Sequence, residues 1–154
     1  MSDPWLRIRA MNNQNGSGTG AGAATPTGTG TPTVTVTEDL FDHEKLDVYR
    51  VAREFLERTQ AFLDRRIGRD LREQFDSASV SILANIGEGA GKTARADKQR
   101  FYEIAKGSTT ETAALLDVLR IRRAITGEEY ADARALLLRV RQMLVRLAGM
   151  PRRT

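Results

Sequence analysis

The chain has 154 residues, a formal net charge of +4, no cysteine and a single histidine, His43. That length holds one domain and a tail, and the composition excludes disulfides, thiolate metal sites and cysteine nucleophiles. No apolar run approaches the ~20 residues of a membrane span, and MSDPWLRIRAM at the start lacks the apolar core of a secretory signal, so the expected location is the cytoplasm.

Residues 12–37 carry no charge and consist largely of Gly, Thr, Ala and Asn. Such a stretch buries too little apolar surface to offset its ordering entropy, which predicts a disordered tail over residues 1–40. Met11, directly before it, is an alternative start. His43, just ahead of the first helix, reads as a solvated neighbour of a helix cap rather than a ligand.

Residues 41–150 read as four helices. The first spans about 44–66, with Asp42 as the expected N-cap. Its stripe Val48, Ala52, Phe55, Thr59 and Phe62 alternates four- and three-residue steps, and Leu46, Tyr49, Leu56 and Leu63 form a second stripe beside it. Gly68 is the expected terminator. The second helix covers about 70–88, with Leu71, Phe75, Ala78, Ile82 and Ile86 inward, and ends among Gly87, Gly89 and Gly91. The third covers about 95–125, with Phe101, Ile104, Ala105, Ser108, Thr112, Leu115 and Leu119 inward. Gly107 in its middle costs ~1 kcal/mol against alanine, which a close helix contact there would offset. The fourth covers about 128–148, with Tyr130, Ala133, Leu137, Val140, Leu144 and Leu147 inward, and is closed by Gly149 and Pro151. Short loops between four such helices predict an all-α, antiparallel up-down-up-down bundle.

The stretch at 77–93, SASVSILANIGEGAGKT, invites a nucleotide reading. A phosphate-binding loop needs glycine, four residues, then Gly-Lys-Ser/Thr after a strand. Gly91-Lys92-Thr93 supplies the second half, but the first glycine would fall on Ile86, and a helix precedes the cluster. The dinucleotide pattern fails too, because position 92 is a lysine. The glycines instead read as the hinge between helices two and three.

The same stretch carries a family resemblance. Ser81-Ile82-Leu83-Ala84-Asn85-Ile86-Gly87-Glu88-Gly89, followed by Gly91-Lys92, resembles the S-I-P-A-N-I-A-E-G-x-G-R signature of the four-helix-bundle family of 23S rRNA intervening-sequence proteins. Phe101-Tyr102-Glu103-Ile104-Ala105-Lys106-Gly107-Ser108, with Glu111, resembles its second signature, F-L-x-I-A-x-G-S-x-x-E. Leu83 replaces the usual proline and Gly87 the usual alanine. The resemblance covers roughly 41–148 and implies a four-helix bundle. In the related accessory variability determinants of diversity-generating retroelements, it further implies a homopentameric barrel that binds a reverse transcriptase and nucleic acid.

Asn85 and Glu88, and Ser108 and Glu111, are the polar members of the two signatures, each pair three residues apart on one helix face. They are expected to meet near one end of the bundle. The glutamates would then be either an acid/base or metal pair, or part of a hydrogen-bonded cluster fixing helix register. Without the Glu-x-x-His of carboxylate-bridged metal bundles, the structural cluster is preferred and no metal or other cofactor is expected. The arginines form a second group: Arg65, Arg66, Arg69 and Arg72 flank the first turn, and Arg120, Arg122 and Arg123 end the third helix, so an up-down bundle brings them to one end. From Ala133 onward the chain has Arg134, Arg139, Arg141, Arg146, Arg152 and Arg153 and no acidic residue. Such groups hold phosphates, but acids at helix starts and bases at helix ends also arise from dipole complementation alone. Leu138 and Val145, seven apart and off the core stripe, read either as scattered surface residues or, given the pentamer that the resemblance implies, as an oligomer interface, and the interface is preferred. The function expected is a non-enzymatic, oligomeric accessory module contacting RNA, DNA or a nucleic-acid enzyme. The alternative is a structural assembly or protein adaptor without nucleic-acid contact.

Overall fold

The computed structural model describes residues 40–149. The Gly/Thr-rich tail, the alternative start at Met11, and Pro151, Arg152 and Arg153 lie outside those residues. A short 3-10 helix (Asp42–Lys45) leads into α1 (Asp47–Leu63), followed by α2 (Arg69–Gly91), α3 (Arg95–Ile121) and α4 (Gly127–Leu147). Each helix packs on its sequence neighbours and α1 also packs on α4, closing a ring; α2 against α3 is the most extensive pair and α1 against α2 the least.

The contacts give the direction of every helix. Ser81 meets Ser108 while Gly89 meets Tyr102, so α2 and α3 run oppositely. Arg65 at the end of α1 meets Glu129 at the start of α4. Tyr130 on α4 bonds Asp117 near the end of α3. The bundle is therefore up-down-up-down, as expected.

The core is built on Phe55, Phe62 and Phe75, whose ring centroids lie 6.3 Å (Phe55–Phe75) and 6.4 Å (Phe62–Phe75) apart. It continues through Ile82, Ile86, Leu116, Leu119, Val140 and Leu144, all essentially inaccessible to water. Burying each such side chain is worth about 1.5–3 kcal/mol. Thr59, Ser79, Thr109 and Thr112 are buried among them, each donating to the carbonyl four residues earlier at 2.6–2.9 Å. These hydroxyls are satisfied inside their own helices and need no partner across the core.

Several element ends differ from the sequence-based expectation. Asp42 opens the 3-10 helix rather than capping α1, and the Glu44 carboxylate there accepts the Phe41 N–H at 2.7 Å. Helix α1 stops at Leu63, and Gly68 is the N-cap of α2 rather than a terminator. Helix α2 runs through Gly87 and Gly89 to Gly91, so these glycines are helical and the hinge is the short link at 92–94. The reason sits at Gly89, where an added Cβ would lie 2.8 Å from Tyr102 Cε1 and 3.0 Å from its Cδ1. The tyrosine ring, 5 % exposed, lies almost on the α2 backbone. The close helix contact expected at Gly107 is absent; a Cβ there would meet nothing within 4 Å.

Helix α3 ends at Ile121, not near 125, because Arg123 takes the left-handed conformation (φ 57°). The Arg123 N–H then bonds the Arg120 carbonyl at 3.0 Å and the Ala124 N–H the Leu119 carbonyl at 2.9 Å, which satisfies the helix end. An arginine pays a steric cost in that conformation that glycine avoids. Arg123→Gly should stabilise the bundle by about 1 kcal/mol, seen as a raised midpoint in thermal unfolding. Gly127 is the first residue of α4, where Thr126 caps by accepting the Glu129 N–H at 3.2 Å and Glu129 returns by accepting the Thr126 N–H at 2.8 Å.

Candidate functional site

Two polar assemblies stand out. The first lies at the middle of the α2–α3 seam. Asn85 donates through Nδ2 to the Ser81 carbonyl at 2.8 Å and to Ser81 Oγ at 3.1 Å. Ser81 Oγ and Ser108 Oγ are 2.9 Å apart, and Ser108 also donates to the Ile104 carbonyl at 3.2 Å. Asn85 and Ser108 are thus joined through Ser81, a residue whose role the sequence did not announce beyond its small size.

The two glutamates do not join them. Glu88 pairs with Lys92, one turn toward the hinge, and Lys92 lies over the Phe101 ring at 5.2 Å. Glu111 is exposed and lines an open cleft with Asp70, Glu73, Gln74 and Ser77, on the other side of Ser108. Glu111 stands level with Ser77, and from Ser77 to Glu88 the helix rises about 16 Å. The expectation that all four residues meet at one end is therefore corrected: antiparallel helices crossing at Ser81–Ser108 send their next turns in opposite directions. The carboxylates are too far apart to share a proton or a metal ion. Among the described residues no group of three or more His, Cys, Asp or Glu is placed to hold one.

The second assembly is the pole formed by the α1–α2 and α3–α4 loops, where the two arginine groups come together. Arg65 makes a fork with Glu129, Nη1–Oε2 2.9 Å and Nη2–Oε1 2.5 Å, and also donates to the Ala124 carbonyl at 2.8 Å. Its guanidinium lies 5.2 Å from the Phe62 ring centroid. The Arg65 hydrogen bond, then the Thr126 N–H, holds the Glu129 carboxyl at a pKa of about 2, and Glu129 in turn raises Arg65. Arg65 is therefore an internal clamp between α1 and α4, with its fork closed to outside ligands. Arg72 donates to the Arg65 carbonyl at 3.0 Å, Arg69 pairs with Glu73 at 2.7 Å, and Arg120 reaches the Ile125 carbonyl at 3.4 Å.

Arg66, Arg122 and Arg123 are exposed and have no ion-pair partner among the described residues. Arg122 and Arg69 face each other across an open cleft of about 350 Å³ between the starts and ends of α2 and α3. Asp70 and Gln74 line that cleft as well, and Leu71, Leu115 and Val118 form its apolar part.

Away from this pole, Leu138 is 40 % exposed and Val145 half-buried on α4. His43 stacks on Phe41 at a ring-centroid distance of 5.7 Å and meets Tyr49 in a tilted contact at 4.5 Å, where it lines an α1–α2 groove. No helix among the described residues is long and apolar enough to cross a membrane.

Ring-packed helices and a seam joined by serine hydroxyls define an all-α four-helix bundle. Residues 44–146 match the family model for 23S rRNA-intervening sequence protein, and the chain belongs to that family. The bundle also superposes on a crystal structure from Bacteroides thetaiotaomicron VPI-5482, described as a protein with unknown function from the S23 ribosomal protein family. That likeness has a TM-score of 0.61 at 23 % identity, covers 67 % of this chain and 96 % of that one, and speaks to the fold. No curated protein matches the chain.

Proposed function

We propose that this protein is a non-enzymatic, self-assembling cytoplasmic accessory module that contacts nucleic acid, or a partner carrying it, through the arginine pole. The observation that supports this reading is the convergence of Arg66, Arg122 and Arg123 on one pole without ion-pair partners among the described residues, beside a cleft lined by Arg69 and Arg122. The resemblance to accessory variability determinants, which bind a reverse transcriptase and nucleic acid, supports the same reading. The exposed apolar residues of α4 support the assembly half, and they also favour the second reading, a protein adaptor without nucleic-acid contact.

The test is fluorescence anisotropy with single-stranded RNA and duplex DNA over a salt series. Affinity should fall steeply with salt, since each neutralised phosphate releases counterions. Replacing Arg66 and Arg122 by alanine and Arg123 by glycine should weaken binding at least about tenfold and flatten the log–log salt slope by roughly 2–3. Binding that is absent, or insensitive to salt, selects the adaptor reading.

A further inference from the structure

Ile121, the last residue of α3, is 78 % exposed, more than any other large apolar side chain among the described residues. Single apolar residues on a surface are ordinary. What distinguishes this one is its setting: Arg122 and Arg123 follow it directly, and all three are exposed. Arg122 Nη1 lies 3.9 Å from the position a Cβ would take at Gly68, so its guanidinium reaches across to the α1–α2 loop that carries Arg66. Arg123 keeps the left-handed conformation at a steric cost that glycine would avoid. Backbone strain of that kind collects at ligand-binding sites.

The positive area is small. Down the α2–α3 flank the adjoining cleft is lined by Asp70 and Glu111, neither of which has an ion-pair partner among the described residues. Arg69 on that flank is engaged with Glu73. On another side of the pole Glu128, also exposed, lies in the first turn of α4. A polyanion at the tip therefore meets three unpaired guanidinia and carboxylates beyond them. That suits about three phosphates, whereas surfaces that bind duplex tightly gather roughly 6–10.

Phosphates also offer nothing to Ile121. An apolar side chain gains only from another apolar surface, and in nucleic acid that surface is the face of a base. A duplex hides those faces in its stack. An unpaired strand presents them beside its phosphates, where guanidinium planes stack on them as well. We infer that the pole takes a short unpaired stretch of a nucleic-acid strand, with Arg66, Arg122 and Arg123 on its phosphates and one base laid over Ile121. This rests on the nucleic-acid reading of the pole and names the form of nucleic acid that fits it.

The experiment is fluorescence anisotropy on the full chain with three labelled oligonucleotides of about 12 nucleotides: a DNA strand, the same strand as a blunt duplex, and an RNA strand of matching sequence. Counterion release alone favours the duplex, at a slope of about 0.9 per phosphate against about 0.7 for a single strand, so the expected preference runs against it. At least one of the two strands should bind about tenfold more tightly than duplex; tighter RNA binding marks a contact to the 2′-hydroxyl, and either strand outdoing duplex supports the inference. Ile121→Ser should weaken strand binding about fivefold and leave its salt slope unchanged, because no phosphate contact is lost. Ile121→Phe should strengthen it about threefold by stacking. Ile104→Ser, at an exposed isoleucine away from the pole, should change neither. Circular dichroism confirms each fold. Duplex bound as tightly as both strands, or strand affinity indifferent to Ile121→Ser, overturns the inference. Strand binding that depends on Arg66, Arg122 and Arg123 but not on Ile121 leaves the arginine pole standing and removes only the base contact. No binding of any of the three oligonucleotides removes the nucleic-acid reading and this inference with it.

Discussion

Gly89→Val should cost about 3 kcal/mol of stability, the largest effect expected of any single glycine replacement in the bundle. The Cβ alone would come within 2.8 Å of Tyr102 Cε1 and 3.2 Å of Phe101 Cβ, and valine adds two methyls in the same direction. The Tyr102 ring cannot swing aside, because it is buried in the core between α2 and α3. Gly87→Ala and Gly107→Ala should change stability the other way. Both lie in helices with open space where the Cβ would go, so each should gain about 0.5–1 kcal/mol from helix propensity. Urea unfolding of the three variants checks the signs. If Gly89→Val melts like the parent protein, α2 and α3 do not approach as closely as described.

Glu129→Gln should be nearly as damaging at neutral pH, by about 2 kcal/mol, since it weakens a capping box and breaks the Arg65 fork together. Both side chains remain about one-third exposed, 34 % for Arg65 and 32 % for Glu129, so water screens the pair and holds the figure down. The pH dependence follows from the depressed carboxyl. Its folded pKa of about 2 lies below the ordinary 4.5, so its stabilisation is complete above the ordinary value and is lost as pH falls from there toward 2. The parent protein should therefore lose more stability than Glu129→Gln across that window, and the two unfolding curves should converge in acid. Equal losses in both proteins would mean that Arg65 does not hold Glu129 in solution.

The core of α2 was legible because its apolar residues sit on a single stripe, with small or charged residues beside them. Helix α3 was harder to read. Two adjacent stripes there are about equally apolar, one through Phe101, Ile104, Ser108 and Leu115, the other through Tyr102, Ala105, Thr109, Thr112, Leu116 and Leu119. The structure buries the second together with Ser108, leaving Ile104 42 % exposed. Thr109 escaped because a hydroxyl that bonds its own helix looks polar in sequence but buries like a methyl group. The glycine cluster misled differently: glycine commonly ends helices, and nothing local shows that a tyrosine thirteen positions later will rest on one of them. The Arg65–Glu129 fork joins residues 64 apart, a pairing that follows from ring closure and leaves no periodic trace. Sequence did foretell that both arginine groups share a pole, since short loops alone dictate it.

The same alternation gives the molecule a front and a back. Because α1 and α4 run oppositely, the described chain enters at Leu40 and leaves at Gly149 beside the α2–α3 link, at the pole away from the arginines. The 27 residues of α3 set those poles about 40 Å apart. Both ends of the described chain thus open at one pole, while Arg66, Arg122 and Arg123 sit at the other.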